Sequence, residues 1–533
     1  RVPQPRLTQS CRRAGRLGLA LTAVLLAAGS GCDDAPADAR EGQIVAVMAA
    51  ADEPYIRSRP LLSAGKYTRM AGGVFEFYRG TVPVYRSDVR TGSTTVAVSG
   101  FDLDVPLVPS IGDPHPENFG ALRASDGSIA IEPNDFDSAD RAPYLWDVRR
   151  LTAGMALAAM LSNPEDAAAR QLAVDARRSI ARAAADAYRA GIEAAARGTP
   201  PGRGTEAASP IIADVFRRSE RDHASRRELA DLTVLENGRR RIVRGPIDPD
   251  DAQNVYADLP ASVLASLPEA IERWRTSLVA PPPPEQVQLL DAVREFGSGV
   301  ASWPRLRAIL LVRGPTDDPA DDVLLELKEL ADSGIGGLYA PGVYHDTVGE
   351  RVVRSARQAW ARPDAEPLWG WTQWLGFPCQ IRVESEGQKN IRVARMADEE
   401  GTVEAISALG TVLGSIVARV HTSGPDGTAN ARAIFARFAH APDRFSDEQA
   451  DVGVAYADLV VADHHRFVRS LHRTNGLRLG IHFDPSDAPR PDLALLFGTP
   501  PPLPPLPPPL PPLLPPLLPP LLPPLLPPLP DTR

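Results

Sequence analysis

Two short segments rich in Asp and Asn flank a stretch that is patterned as a β-hairpin. Residues 112–120 read Gly-Asp-Pro-His-Pro-Glu-Asn-Phe-Gly, and residues 134–137 read Asn-Asp-Phe-Asp. Between them an Asp126-Gly127 pair, which is typical of a tight turn, precedes the largely apolar run 128–131. Because a hairpin brings its two ends together, the sequence predicts that the two polar segments face each other.

The side chains at the ends of this hairpin suit phosphoryl transfer. Hard divalent cations prefer oxygen ligands, and catalysis of phosphoryl transfer consists mostly of positioning and charge neutralisation. Asn118 and Asp135 are the candidate Mg²⁺ ligands, and Asp113 is the candidate catalytic group that accepts the proton of the attacking hydroxyl. The alternative is a surface turn in which Asp and Asn bond their own backbone. The presence of both segments around one hairpin favours the metal site.

A second group of residues is a candidate for nucleotide binding. Gly297 and Gly299 lie in a glycine-rich turn before the apolar run 308–312, and the strand-like run 323–327 ends at Lys328. Glycine lets backbone N–H groups approach phosphates closely, and a Lys on a strand can reach phosphate oxygens. A simple hairpin turn and a solvated Lys at a strand end are the alternatives. The order of turn, strand, hairpin and Lys favours the nucleotide site.

These segments resemble known families. Residues 112–118 are similar to the catalytic loop of aminoglycoside phosphotransferases and related small-molecule kinases, and Asp135-Phe136-Asp137 is similar to their metal-binding motif. More narrowly, the chain resembles the bacterial family called domain of unknown function twenty-two fifty-two, from about Lys66 to about Arg469. The segments that carry this resemblance are 67–70, 75–80, 112–120, 146–151 and 325–329.

The resemblance implies a fold and a role for one further residue. The implied fold is α+β and two-lobed, like a protein kinase, with a mainly helical large lobe and a small β-rich lobe. Asp147 matches a buried Asp that accepts backbone N–H groups of the catalytic loop, and an ordinary Asp at a helix start is the alternative. The family pattern has a third glycine where this chain has Ser302, which puts phosphate binding by the turn in doubt.

The order of the segments resembles a circular permutation of a kinase. The glycine turn follows the catalytic loop, and the helical pattern over 405–421 resembles the helix that precedes that loop in aminoglycoside kinases. If both halves form one site, Lys328 and Asp135 face one cleft although about 200 positions separate them. A partly buried Lys needs a negative partner, and Glu350 is the candidate. His421 is predicted to be an ordinary helix-end histidine favoured by the dipole.

Six parts are predicted along the chain. They are an export signal over 1–32, a linker over 33–60, the catalytic part of the large lobe over 61–285, the small nucleotide-binding lobe over 286–400, helices that complete the large lobe over 401–490, and a disordered Pro/Leu-rich tail over 491–533.

The first part resembles a bacterial export signal. Arg12, Arg13 and Arg16 precede the apolar stretch 17–28, and small residues follow before Cys32. This pattern resembles a lipoprotein cleavage site, at which Cys32 becomes the lipidated N-terminus. The protein is therefore expected to be exported and anchored to the membrane through Cys32, facing the periplasm, with a cytoplasmic location as the alternative.

The predicted function is Mg²⁺-dependent transfer of a phosphoryl group from ATP, or another nucleoside triphosphate, to a hydroxyl of a small molecule. An exported protein would need another phosphate donor or would bind without transfer, so a kinase-like binding protein of the cell envelope is one alternative. A metal-dependent phosphohydrolase is another, because Gly-Asp-x-His also occurs in two-metal hydrolases. The net charge of −9 over 533 residues does not indicate a nucleic-acid partner. The oligomeric state is left open.

Overall fold

The computed structural model describes residues 39–92, 94–101, 107–124, 126–161, 174–199, 209–246, 255–333, 348–384, 387–396 and 402–481. Within these ranges the protein is a mixed α/β structure in which helices predominate. The predicted export signal, with Cys32, and the Pro/Leu-rich tail lie outside the described residues.

The helices of the described residues are numbered here in chain order. They are α1 (Ala39–Ser58), α2 (Pro60–Ala71), α3 (Val74–Gly80), α4 (Val82–Thr91), α5 (Tyr144–Leu161), α6 (Val174–Ala196), α7 (Pro210–Ser225), α8 (Arg227–Leu232), α9 (Ala261–Leu264), α10 (Leu267–Ser277), α11 (Val348–Ala359), α12 (Val393–Met396), α13 (Val403–His421), α14 (Gly427–Phe438) and α15 (Pro442–Thr474).

The strands are numbered in the same way. They are β1 (Val108–Ser110), β2 (Phe119–Arg123), β3 (Ile129–Pro133), β4 (Asp140–Ala142), β5 (Thr233–Glu236), β6 (Arg239–Ile242), β7 (Gly245–Pro246), β8 (Val255–Asp258), β9 (Leu289–Phe296), β10 (Arg307–Val312), β11 (Val323–Glu329), β12 (Gly370–Trp374), β13 (Phe377–Val383) and β14 (Lys389–Asn390).

A helical body forms the larger core of the protein. Helix α6 packs against α5, α13, α14 and α15, so helices from two distant stretches of the chain build one unit. Along α13 the buried residues Ile406, Leu409, Leu413 and Ile416 recur at helical spacing, which explains why this face points inward. By length and composition α13 could also cross a membrane, but this is weak evidence because the core helix of a soluble protein passes the same test.

A seven-stranded antiparallel sheet forms the second layer, in the order β12-β13-β11-β10-β9-β8-β7. On one face, Leu310 of β10 belongs to the same core cluster as Trp274 of α10. On the other face, Leu311 clusters with Leu229 of α8 and Ile242 of β6. Because both faces are covered, β10 is buried along its whole length, and after Arg307 its residues are all apolar rather than alternating.

Two of the predicted boundaries differ from the structure. The segment expected to be a linker over 33–60 contains α1, whose Ile44 and Met48 are fully buried and which packs on α15. The sheet already includes β7 and β8, so it begins before residue 286, where the small lobe was expected to start. Both differences have one cause: long-range packing determines these contacts, and local patterns do not record it.

Candidate active site

A β-hairpin brings Asn118 and Asp135 to the same end of two paired strands. Strands β2 and β3 are antiparallel with Phe119 opposite Pro133, and the N–H of Asn134 donates to the carbonyl of Asn118 at 3.1 Å. Asn118 ends a short 3₁₀ turn directly before β2, and Asp135 follows β3. The predicted hairpin is confirmed.

Asp147 lies beneath the loop that precedes Asp113. Its carboxylate accepts the N–H groups of Ile111 at 2.7 Å and Gly112 at 3.0 Å, and the hydroxyl of Ser110 at 2.7 Å. Gly112 has a φ of 80°, and a Cβ there would clash with the carbonyl of Ser138, so only glycine fits. Asp147 also lies in the first turn of α5, so the helix-start interpretation holds as well as the loop-binding one.

His421 extends this buried network and was not recognised as part of it from sequence. Its Nε2 lies 3.3 Å from a carboxylate oxygen of Asp147, and its Nδ1 lies 2.9 Å from the hydroxyl of Tyr188. The side chain is fully buried, so the dipole-favoured helix-end histidine expected from sequence is an incomplete description. No local signal could have revealed this network, because His421 lies 233 positions from Tyr188 and 274 positions from Asp147 in the chain.

Asp113 is held by an arginine that sequence reasoning did not single out. One carboxylate oxygen accepts from Nε of Arg150 at 2.8 Å, and the other lies 3.6 Å from Nε2 of His115. Arg150 is itself fixed by stacking on the ring of Tyr78, 3.5 Å from its centre, and by donating to the Tyr78 carbonyl at 2.7 Å. One carboxylate oxygen of Asp113 is thus held in place, and Asp113 lines a cavity.

Burial dominates the protonation of this part of the site. It raises the pKa of Asp113 above its ordinary value, although Arg150 opposes the shift. Burial, with the nearby charges of Arg79 and Arg150, lowers the pKa of His115 well below its ordinary value, so this imidazole is neutral at physiological pH. Asp113 therefore has the character of a base rather than of a strongly stabilised carboxylate.

The candidate metal ligands keep oxygen atoms available. The side-chain nitrogen of Asn118 donates to the carbonyl of Asp113 at 2.8 Å, and within the described ranges its side-chain oxygen makes no hydrogen bond. One oxygen of Asp135 accepts the N–H of Asp137 at 3.1 Å. Mg²⁺ is usually held by one or two carboxylates, with waters and substrate phosphates supplying the other oxygens, so this donor set fits the ion.

No complete metal cage exists in the described part of the chain. No group of three or more His, Cys, Asp or Glu side chains there could hold a metal ion. Asp463 and His464, an acidic residue and a histidine that are adjacent on α15, are both buried. Asp463 pairs with Arg40 at 2.6 Å, and Nε2 of His464 lies 3.1 Å from the carbonyl of Ala71.

Lys328 of β11 contacts the acidic segment 134–137. Its Nζ lies 2.7 Å from Oδ2 of Asp137, and Nη1 of Arg305 donates to the same oxygen at 2.7 Å. Burial alone would raise the pKa of Asp137, but Lys328 and Arg305 outweigh it and lower the pKa below its ordinary value. The expected partner, Glu350, is wrong: it pairs with Arg354 on its own helix, one turn away.

The glycine turn lies beside this ion-pair cluster. Gly297 and Gly299 have φ values of 84° and 78°, which favour glycine. The hydroxyl of Ser302, where the family pattern has a third glycine, accepts from Nη2 of Arg307 at 3.0 Å. The serine therefore serves to position an arginine of β10 rather than to open the turn.

One cavity of about 1160 Å³ joins the two halves of the site. Asp137, the partner of Lys328, lines the cavity, and so does Gly299 from the turn that also contains Gly297; Lys328 and Gly297 themselves do not line it. Among the residues that line it are Asp113, Asn118, Asp135, Asp137, Gly299, Ser302 and Arg305.

The fold and the cavity define a mixed α/β protein with a buried polar site between a helical body and an antiparallel sheet. A family model described as an uncharacterized protein conserved in bacteria (DUF2252) matches residues 58–470, and the chain belongs to this family. Neither the curated proteins nor the solved structures contain a match to it.

Proposed function

We propose that this protein is a Mg²⁺-dependent phosphotransferase that moves a phosphoryl group from ATP, or another nucleoside triphosphate, to a hydroxyl of a small molecule. The observation that carries the proposal is the shared cavity, which joins Asp113, Asn118 and Asp135 to the glycine turn. A polar cavity of this size, with convergent charged groups, is typical of a substrate site. The kinase-like, two-lobed and permuted fold is part of the same proposal.

Asp113 has the geometry of a group that receives a hydroxyl proton. Arg150 fixes one of its oxygens, and the neighbouring His115 is neutral and does not compete as a cation. The second oxygen is therefore oriented for a hydroxyl that enters from the cavity. Because burial raises the pKa of the carboxyl group, it is a better proton acceptor than an exposed Asp.

The opposite wall has the charges that a triphosphate needs. Arg305 and Lys328 converge on one oxygen of Asp137, and Arg307 lies in the cavity wall beside the glycine turn. Phosphate oxygens are strong acceptors for such cations. A bound triphosphate would share these cations with Asp137, which acts as their counter-ion in its absence.

Asn118 and Asp135 would hold Mg²⁺ at the junction of the two walls. The ion, when bound, supplies neutralisation of the phosphate oxygens. The chain itself supplies the orientation of these two ligands, through the hairpin and through the bond from Asn118 to the Asp113 carbonyl.

Nucleotide binding tests the proposal directly. The affinity of the full-length protein for a fluorescent ATP analogue is measured with and without Mg²⁺, for the wild type, Lys328→Met and the control Arg354→Met. We expect Mg²⁺-dependent binding that Lys328→Met weakens at least about tenfold and that Arg354→Met leaves unchanged. Absence of nucleotide binding under both conditions would refute the proposal. Binding without transfer to any hydroxyl compound would favour a kinase-like binding protein of the cell envelope.

The cellular location remains a separate proposal. We propose that the protein is exported and anchored through lipidated Cys32, which lies outside the described residues. In that case the nucleotide must be replaced by a phosphate donor that is present outside the cytoplasm.

A further inference from the structure

Arg86 is a buried cation for which the described structure provides no counter-ion. It lies on α4, lines the cavity and is only 7% exposed. Its one hydrogen bond runs from Nη2 to the carbonyl of Ser138 and is long, at 3.3 Å. Within the described residues its guanidinium forms no ion pair with a carboxylate. Burying a charge without a partner is costly, so this placement needs an explanation.

The charges around Arg86 are mostly of its own sign. Burial lowers the pKa of Arg86 to about 10, and the side chain stays cationic at physiological pH. Of the charged neighbours, Asp113 raises that pKa, whereas Arg351, Arg90 and Arg150 lower it. Asp113 is already paired with Arg150. Among the described residues, the positive charges at this end of the cavity therefore outnumber the nearby carboxylate of Asp113.

The same face of α4 continues the cavity wall. Val82, Arg86 and Arg90 recur every four residues, and Ser87 and Thr91 lie beside them; all five line the cavity. A helical face with guanidinium and hydroxyl groups suits a polar, anionic molecule. Arg86 is the deepest of its charged groups.

Arg351 shows what a purely structural arginine looks like in this protein. It is also 7% exposed, and burial also lowers its pKa. Its guanidinium, however, donates to three carbonyls, those of Ala139, Asp137 at 3.0 Å and Ala331 at 3.1 Å. Although the two side chains are equally buried, Arg351 joins two stretches of backbone through three hydrogen bonds, whereas Arg86 makes one long hydrogen bond.

We propose that Arg86 binds an acidic group of the phosphoryl acceptor, so that the acceptor is a hydroxylated small molecule that carries a phosphate or a carboxylate. Arginine pairs with both groups through two parallel hydrogen bonds, which fixes orientation as well as charge. Arg86 bonds the carbonyl of Ser138, against which Gly112 packs directly before Asp113, so the acidic group would lie on the acceptor side of the cavity. That the ligand is a phosphoryl acceptor rests on the proposed function, whereas the anion site at Arg86 does not depend on that function.

The anion site is tested first, with inorganic phosphate as the probe. Phosphate is titrated calorimetrically into the full-length wild type, Arg86→Gln and Lys328→Gln. We expect Arg86→Gln to weaken phosphate binding at least about tenfold, equivalent to about 1.4 kcal/mol, and to leave the affinity for Mg²⁺-ATP within about twofold. No phosphate binding by the wild type, equal binding by Arg86→Gln, or a loss confined to Lys328→Gln would overturn the proposal.

Thermal unfolding of the same variants separates binding from structure. Removing an unpaired buried charge does not destabilise a fold, whereas removing a fully bonded one does. Arg86→Gln is therefore expected to unfold at the wild-type temperature or higher, and Arg351→Gln at a clearly lower one. If Arg86→Gln unfolds as readily as Arg351→Gln, Arg86 is structural and the proposal fails.

Matched acceptors then decide the substrate class. Transfer from Mg²⁺-ATP is compared for glycerol, glycerol 3-phosphate and glycerate. The wild type should prefer one of the two acids to glycerol, and Arg86→Gln should lose that preference. Phosphate binding through Arg86 without nucleotide binding would leave the anion site standing and refute the proposed function. Nucleotide binding by a wild type that uses glycerol as well as either acid would refute the acidic acceptor and leave the function standing.

Discussion

Asp113 and Asp135 lie close together, but the protein holds them in different ways. Asp113 is anchored by the buried guanidinium of Arg150, while among the described residues Asp135 receives only the N–H of Asp137 in its own loop. A base needs a fixed orientation and a metal ligand needs available lone pairs. The two residues should therefore respond differently to substitution.

Asp113→Asn should lower the rate of transfer by at least about 100-fold, because the amide cannot accept the hydroxyl proton. Nucleotide binding should change little, since the amide oxygen can still accept from Arg150. Thermal stability should fall, because the buried guanidinium loses its counter-ion. Steady-state transfer rates and nucleotide affinity are measured in parallel on the same preparation. Full turnover by this variant would show that Asp113 is not the base.

Asp135→Ala should instead remove the Mg²⁺-dependent part of nucleotide binding, because it deletes the carboxylate ligand of the ion. The matched control is Asp126→Ala, which removes an exposed carboxylate that pairs with Arg362 at the turn of the same hairpin. Nucleotide titrations at several Mg²⁺ concentrations give the measurement. The same Mg²⁺ dependence in Asp135→Ala and wild type would exclude the assigned ligand.

At the scale of elements, the sequence predicted the helices, strands and turns that depend on residues near one another in the chain. The hairpin of β2 and β3, helix α13 and the two strands that follow the glycine turn, β10 and β11, follow from turn residues and periodicity. The place of α1 in the core and the buried position of His421 could not be predicted, because their partners lie hundreds of residues away. Lys328 lies beside the acidic segment, as expected. Its partner is Asp137 rather than Glu350, because Glu350 pairs with Arg354 on its own helix.

Glu384, which directly follows β13, should make the stability of the protein depend on pH. Burial, with the nearby Glu295 and Glu228, raises the pKa of Glu384 to about 7 from an ordinary value of 4.5. Between these two pH values the folded state binds more protons than the unfolded state, so the free energy of unfolding falls as the pH rises through this window.

Glu384→Gln should remove this dependence and unfold at a higher temperature than the wild type at pH 8. Thermal unfolding followed from pH 5 to pH 8 tests the expectation, with Glu53→Gln as the control on an exposed face of α1. A wild-type stability that does not fall over this range would contradict it.

At the scale of the molecule, the predicted lipid anchor decides which phosphate donors the site can meet. Expression with labelled palmitate in a bacterial host should label the wild type, and Cys32→Ala should be unlabelled and released from membranes. The reason is that Cys32→Ala removes the thiol to which the lipid would be attached. Equal labelling of both proteins would end the lipoprotein hypothesis and favour a cytoplasmic enzyme supplied with ATP.

The helical body is interrupted in the chain by the whole sheet, and this has a consequence for synthesis on the ribosome. Residues of α5 and α6 emerge first, then the strands from β7 to β13, and only afterwards the helices α13 and α15 that cover α6. Until α13 and α15 have been made, the apolar face of α6 that carries Ile180, Tyr188 and Ile192 can pack only on α5. The sheet can fold early, but the helical body stays incomplete and exposes apolar surface until near the end of translation. Chaperones should therefore bind the nascent chain mainly at α6.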